Sequence, residues 1–259
     1  MPPLLQAVIR SMLGRTFAPT VLAGDAPTLK TLEGVVPFEV SGVRELLTET
    51  GWRLAERDDR GQRTMIIKSD LSFLPAPRTW IEQAAPEGGG RYAALFEETE
   101  TAERNTTLFL RPPNGPVFVC STSAPLNQPI DRERRDVLAV CRFRSEAALP
   151  LINMPKIIGR VQHQPHAGLQ RELVRNKKLI GPFSLHAWTE IKMEVRPPKR
   201  DGDMTHEPHL TGEKALEFVR QHIRFQNGRW VQVRWHFRGN PALGIRQRKY
   251  TLVDKTRAA

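Results

Sequence analysis

The sequence predicts an α+β protein: a β-rich region followed by a basic domain with an antiparallel sheet and short helices. Three observations carry this. Short runs of β-branched and aromatic residues alternate with polar ones and are punctuated by Gly, Pro, Asn and Asp, the pattern of strands and turns. Several brief stretches instead repeat apolar residues at helical spacing. With 21 prolines in 259 residues, loops are expected to be many and long helices few.

Taken in order, the chain opens on a short apolar stretch, Leu4-Leu-Gln-Ala-Val-Ile, with no basic region before it and no small-residue cleavage site. It is therefore not read as a signal peptide, and a cytoplasmic protein is expected. A helix is expected over 43–50, with Ser41 as N-cap and Gly51 as stop. Trp52-Arg-Leu-Ala-Glu and Thr64-Met-Ile-Ile-Lys follow as strands joined at Asp58-Asp59-Arg60-Gly61. Phe73-Leu-Pro-Ala-Pro-Arg-Thr-Trp-Ile-Glu sets two prolines ahead of a strand, and Pro86-Glu-Gly-Gly-Gly leads into another over 92–96. Strands over 106–110 and 117–120 flank Pro112-Pro-Asn-Gly-Pro as a hairpin. The mixed-charge, then apolar run from Asp131 reads as a helix that Pro150 ends or redirects.

Beyond Pro150 a short helix is expected over 168–175 and a long strand over 185–195. On that strand Ala187, Thr189, Ile191, Met193 and Val195 share one face, and His186, Trp188, Glu190, Lys192 and Glu194 the other. Thr211 is placed to cap a helix over 212–222, in which Ala215, Leu216, Val219 and Ile223 recur at helical spacing. Asn227-Gly228 is a strong hairpin signal, joining 223–226 to 229–238, with 245–253 returning beside them.

Charge divides the chain at the same place. Residues 1–150 hold 18 Lys and Arg against 19 Asp and Glu, a net of −1, while residues 151–259 hold 21 against 9, a net of +12. All seven histidines also fall in the second part. Two regions are expected, a near-neutral 1–150 and a basic 151–259, a chain of this length having room for two cores. A localised positive excess attracts polyanions and releases the counterions condensed on nucleic acid. Nucleic acid, DNA in preference to RNA, is the expected partner; an acidic host protein is the alternative. No apolar run approaches the roughly 18 residues that cross a bilayer, so no membrane partner is expected.

The most suggestive stretch is Val231-Gln-Val-Arg-Trp-His-Phe-Arg. Read as one strand, it turns Val231, Val233, Trp235 and Phe237 to the core and Arg234, His236 and Arg238 the other way. Arg246, Arg248 and Lys249 on the returning strand would extend that surface. Guanidiniums in a row match phosphate oxygens, each donating two hydrogen bonds. These six residues are the expected nucleic-acid contacts, unless Glu190 and Glu194 neutralise them from the neighbouring strand. Trp188 and Trp230 fall on predicted polar faces, where single-strand stacking is conceivable, whereas most of the other aromatics are assigned to the core.

Chemistry beyond binding has one candidate. His163-Gln-Pro-His166 and His206-Glu-Pro-His209 bring four imidazoles on loops, enough for zinc or another divalent metal, with Glu207 as general base of a metal-dependent nuclease or hydrolase. No spacing rule brings the two segments together, so the cofactor expectation is none and the protein is read as non-catalytic. Nucleophile-elbow, Rossmann and phosphate-loop patterns are absent. Cys120 and Cys141 form no framework and read as buried thiols.

Three segments, Leu74-Pro-Ala-Pro-Arg-Thr-Trp-Ile-Glu, His186-Ala-Trp-Thr-Glu-Ile-Lys and Val233-Arg-Trp-His-Phe-Arg-Gly-Asn-Pro-Ala-Leu-Gly, resemble uncharacterised proteins carried by bacterial phages and plasmids. They cover a small part of the chain. The resemblance implies a mobile-element origin and assigns no catalytic residue. The reading is thus a non-catalytic nucleic-acid-binding protein of a mobile element, with a metal-dependent nuclease and a host-protein-binding or assembly protein as the alternatives.

Overall fold

The computed structural model of the protein describes residues 2–14, 18–25, 27–67, 72–85, 88–98, 104–123, 137–153, 164–165, 187–195, 215–227 and 229–254. They form helices α1 (Pro3–Met12), α2 (Leu29–Leu32), α3 (Arg44–Leu54) and α4 (Val137–Asn153). The strands are β1 (Thr20–Ala23), β2 (Val36–Gly42), β3 (Ala55–Arg57), β4 (Arg63–Ile67), β5 (Arg78–Ala84), β6 (Arg91–Glu98), β7 (Arg104–Arg111), β8 (Phe118–Ser123), β9 (Gln164–Pro165), β10 (Ala187–Val195), β11 (Ala215–Val219), β12 (His222–Gln226), β13 (Arg229–Val233), β14 (His236–Arg238) and β15 (Asn240–Asp254). The α+β class is thus observed. No helix among the described residues is long and apolar enough to cross a membrane.

One open sheet dominates, in the order β1-β8-β7-β6-β5-β2-β15-β10-β9, with β11 and β14 attached beside β15. From β5 to β8 it is an antiparallel meander. From β5 through β2 and β15 to β10 every pairing is parallel. The charge boundary at residue 150 is therefore bridged by a shared sheet: β15 lies against β2, and Tyr250 stacks on Phe38 with ring centroids 4.7 Å apart.

The sheet is covered on both faces. On one, Phe38, Val40, Ile81, Ala94, Phe96, Leu108 and Tyr250 pack with Leu149 and Ile152 of α4 and Leu47 of α3. On the other, Trp80, Leu95, Phe109 and Val119 receive Leu4, Leu5, Val8 and Ile9 of α1. Alternation along β5 and β6 makes this possible, since successive side chains point to opposite faces. The opening apolar stretch is thus a helix. Pro3 at its first position needs no donor there, and the apolar residues recur one turn apart.

A buried carboxylate fixes that helix to the sheet. Glu82 Oε1 and Oε2 accept from Leu4 N at 2.9 Å and Leu5 N at 3.1 Å, the otherwise unpaired donors of the first turn. Glu82 also accepts from Trp80 Nε1 at 3.1 Å and Arg91 Nε at 2.6 Å, and Arg91 reaches on to Glu39 at 2.8 Å. Every oxygen of this interior charge is thereby satisfied, which burial demands.

Several expectations are corrected. Ser41 caps no helix; it lies in β2, donates to Glu39 and accepts from Ala84 N at 2.7 Å. Gly51 does not stop α3, which runs on to Leu54, so the strand expected from Trp52 starts only at Ala55. Glycine is needed there for packing: a Cβ at 51 would stand 2.8 Å from the Phe143 ring of α4. Pro150 lies inside α4, near its end, where only the bond to the Glu146 carbonyl is lost. Of the helix expected over 212–222, the described residues 215–222 form instead β11 and the start of β12, and 212–214 lie outside the described residues. Leu216, Phe218 and Val219 are β-formers with partners to pair with in β14 and β15, and that pairing overrides the helical spacing. The Asn227 turn is as expected, with Asn227 at φ 50°, and β12 and β13 pair from His222↔Val233 to Gln226↔Arg229. β15 does not return beside them; it runs parallel to β2, β10 and β11. The short helix expected over 168–175 lies outside the described residues.

Candidate functional site

The stretch 229–238 is not one strand. β13 ends at Val233, Arg234 and Trp235 cross over, and β14 pairs antiparallel with β11 through Glu217↔Arg238, Phe218↔Phe237 and Val219↔His236. Alternation across this pair gathers Phe218 and Phe237 on one face, with Trp235 beside them. The three rings form a cluster: Phe218 lies 6.0 Å from Trp235 and 5.5 Å from Phe237, and Trp235 and Phe237 meet nearly edge-on at 6.3 Å. Phe218 packs against the main core, yet Trp235 is 41% and Phe237 55% exposed. The half of the predicted core face that Trp235 and Phe237 supply is thus a surface, because the core ends at Phe218; Val231 and Val233 are half-buried and belong to β13, in a separate two-stranded sheet.

The expected cations are neighbours of these rings in the chain, and alternation along β14 turns His236 and Arg238 to the face opposite Phe237. Arg234, His236 and Arg238 are all exposed, as is Arg224 on β12. Arg238 is held from within: its Nε lies 2.5 Å from Oε1 of Glu217, whose side chain is only 3% exposed. It carries part of its charge internally, and Arg224 and Arg234 are the better candidates for an external anion.

His222 reports the local field. Its Nδ1 lies 2.9 Å from the Arg220 carbonyl, and since a carbonyl only accepts, Nδ1 carries the proton and leaves Nε2 as the acceptor of the neutral ring. Burial pushes its pKa below the ordinary histidine value. The hydrogen bond to Arg220 opposes this, while the charges of Arg220, Arg224 and His236 add to it. His236 makes the same local contact, Nδ1 to the Arg234 carbonyl at 3.1 Å.

Arg220 anchors the site to the core. Its Nη1 donates to the Ile152 carbonyl at the end of α4 at 2.6 Å, and its guanidinium lies 5.9 Å from the Tyr250 ring centre. Burial lowers its pKa. Gln221 N donates to the Pro75 carbonyl at 2.7 Å, fixing the turn between β11 and β12. Arg220 and His222 fall within the helix expected over 212–222, which hides the strand alternation that places 222 and 224 on one face; Arg224 falls in the expected strand over 223–226, where nothing in the sequence singles it out.

The other expected contacts are placed only by register. Arg246, Arg248 and Lys249 stand on β15 across from Ala187, Thr189 and Glu190. Their side chains lie outside what the structure describes, as do those of Trp188 and Trp230. His163, His166, His206 and His209 also lie outside the described residues. Among the described residues no three His, Cys, Asp or Glu side chains cluster as a metal site. Cys120 and Cys141 are free and buried, and burial pushes the Cys141 thiol up to about 12, leaving it no thiolate character near neutrality. Compared with known protein families, curated proteins and solved structures, the chain matches none.

Proposed function

We propose that this chain is a non-catalytic nucleic-acid-binding protein of a phage or plasmid, contacting phosphates through the basic surface of β12, β13 and β14. One observation carries the reading: Arg224 on β12, Arg234 in the crossover, and His236 and Arg238 on β14 are all open to solvent within one short stretch of chain, with Arg238 alone shown against a carboxylate, that of Glu217. Like charges gathered on neighbouring strands repel, and an external polyanion relieves that repulsion. The net +12 of residues 151–259 adds a long-range attraction of the same sign. The mobile-element origin rests on the three resembling segments.

The test is the salt dependence of binding to a labelled oligonucleotide. Affinity should fall steeply with salt, with a logarithmic slope of about 0.7 to 0.9 for each phosphate contact. Replacing Arg224 and Arg234 together by alanine should weaken binding and flatten that slope by about 2. Binding that is insensitive to salt sinks the reading.

A further inference from the structure

The end of α3 and the β3–β4 hairpin enclose a cavity of about 620 Å³, lined by Arg53, Leu54, Ala55, Glu56, Arg57 and Arg63. None of these residues belongs to the basic surface of β12, β13 and β14. We infer that the cavity is a separate binding site for a small phosphorylated molecule, with Arg57 and Arg63 holding the phosphoryl oxygens.

Charge argues for an anion. Arg57 and Arg63 are direct partners across the β3–β4 ladder, so their side chains leave the hairpin on the same face. The Cβ atoms of such partners stand roughly 5 Å apart, and like charges there repel. Both arginines are exposed, and neither makes an ion pair among the described residues. Asp58, next to Arg57 in the chain, is taken up by the turn: its carboxylate accepts from Arg60 N at 3.0 Å and Gln62 N at 2.8 Å. Arg57 Nη1 donates to the Gly61 carbonyl at 2.7 Å, which orients the guanidinium without neutralising it. Arg53 has other claims on it, the C-terminal end of α3 and Glu49 at 2.5 Å, and therefore only flanks the site. Glu56 is the single carboxylate in the lining against three guanidiniums, a net of +2. A phosphate monoester, with a charge of about −1.5 to −2 near neutrality, balances it. The floor is apolar: Leu54 and Ala55 pack in the cluster of Ile67, Phe143 and Ala147. A cavity of this size with an apolar floor and a few polar groups suits a ligand with a carbon skeleton better than a bare ion.

The experiment is isothermal titration calorimetry of the full chain with adenosine monophosphate, adenosine and inorganic phosphate, repeated with Arg57→Ala, Arg63→Ala and Arg63→Glu, each checked for folding by circular dichroism. The monophosphate should bind, on the order of tenfold tighter than inorganic phosphate, and adenosine should not. Each alanine should weaken the monophosphate by about tenfold or more, the effect of losing a charge-assisted hydrogen bond. Arg63→Glu should abolish binding and raise the thermal midpoint of the ligand-free chain, because it turns a repelling pair into an attracting one. Adenosine or inorganic phosphate binding as tightly as the monophosphate overturns the inference, as does an affinity that Arg57→Ala and Arg63→Ala leave intact, or no binding at all. An oligothymidine strand that displaces the monophosphate from the native chain also overturns it, since Arg57 and Arg63 would then belong to the nucleic-acid surface. A lowered midpoint for Arg63→Glu removes the repulsion on which the site rests.

Discussion

Glu82 takes four hydrogen bonds: from two backbone amides of α1, the Trp80 indole and the Arg91 guanidinium. A glutamine there keeps the size but turns two N–H groups toward donors and leaves Arg91 with only Glu39. Glu82→Gln should cost about 3 to 5 kcal/mol of stability, the usual penalty for breaking a buried charged network, measured by urea unfolding. A loss below about 1 kcal/mol would mean that α1 is held by its apolar face alone. His222 makes a second prediction. Its pKa is lowered by burial and by neighbouring cations, so the folded chain resists protonating it. The unfolded chain binds that proton more readily; this part of the stability is therefore present above the ordinary histidine range and is lost as the pH falls through it. A bound phosphate reverses the local field and favours the imidazolium. Oligonucleotide affinity should therefore rise from pH 7.5 to pH 6, by up to about tenfold per pH unit for one proton taken up, and His222→Ala should flatten the profile. Neither residue announced its role in the sequence. Glu82 is one carboxylate in a strand, and only the fold shows what its oxygens meet.

At the scale of elements, α3 and α4 meet where Gly51 faces Phe143. Alanine normally improves a helix interior by about 1 kcal/mol over glycine. Here the new methyl would lie 2.8 and 2.9 Å from two atoms of the Phe143 ring and 3.2 Å from Ala147 Cβ. The ring is buried and packs against Trp52 at 5.2 Å, so it has little room to retreat. Overpacking of this kind costs about 1 to 3 kcal/mol. Gly51→Ala should thus lower the denaturation midpoint, and a raised midpoint would show that the helices separate freely. Some elements were legible: the strands around Thr79, Tyr92–Phe96 and Thr106–Leu110 are short runs of apolar, aromatic and β-branched residues set off by Pro, Gly and Asn, and the Asn227 turn has a residue suited to a left-handed backbone. The run from Ala215 to Ile223 supports helical spacing and strand alternation alike, and only its pairing with β14 and β15 decides between them.

For the whole molecule, the charge boundary at residue 150 was legible and the joining of the two sides was not. No local pattern reveals that β15 lies between β2 and β10, because that neighbourhood links residues far apart in the chain. A fragment of residues 1–150 would lose Tyr250 and Leu252 from the core and expose the edge of β2. It should show weak amide protection in β2 and β5 by hydrogen exchange and self-associate through the open edge. A fragment protected as well as the full chain would make the β2–β15 pairing dispensable. The rings of Trp235 and Phe237 carry the same lesson: alternation predicts which residues share a face, and the extent of the rest of the fold decides whether that face is inside.

The place of β15 also sets a timetable. During synthesis β2 emerges early and its neighbour β5 soon after, but the parallel neighbour on its other side, β15, is made about 200 residues later, an interval of roughly 10 to 40 seconds at ordinary translation speeds. Throughout that wait the nascent chain carries an unzipped seam at its centre, so its yield in the cell should depend on chaperones far more than that of a protein whose sheet closes in the order it is made.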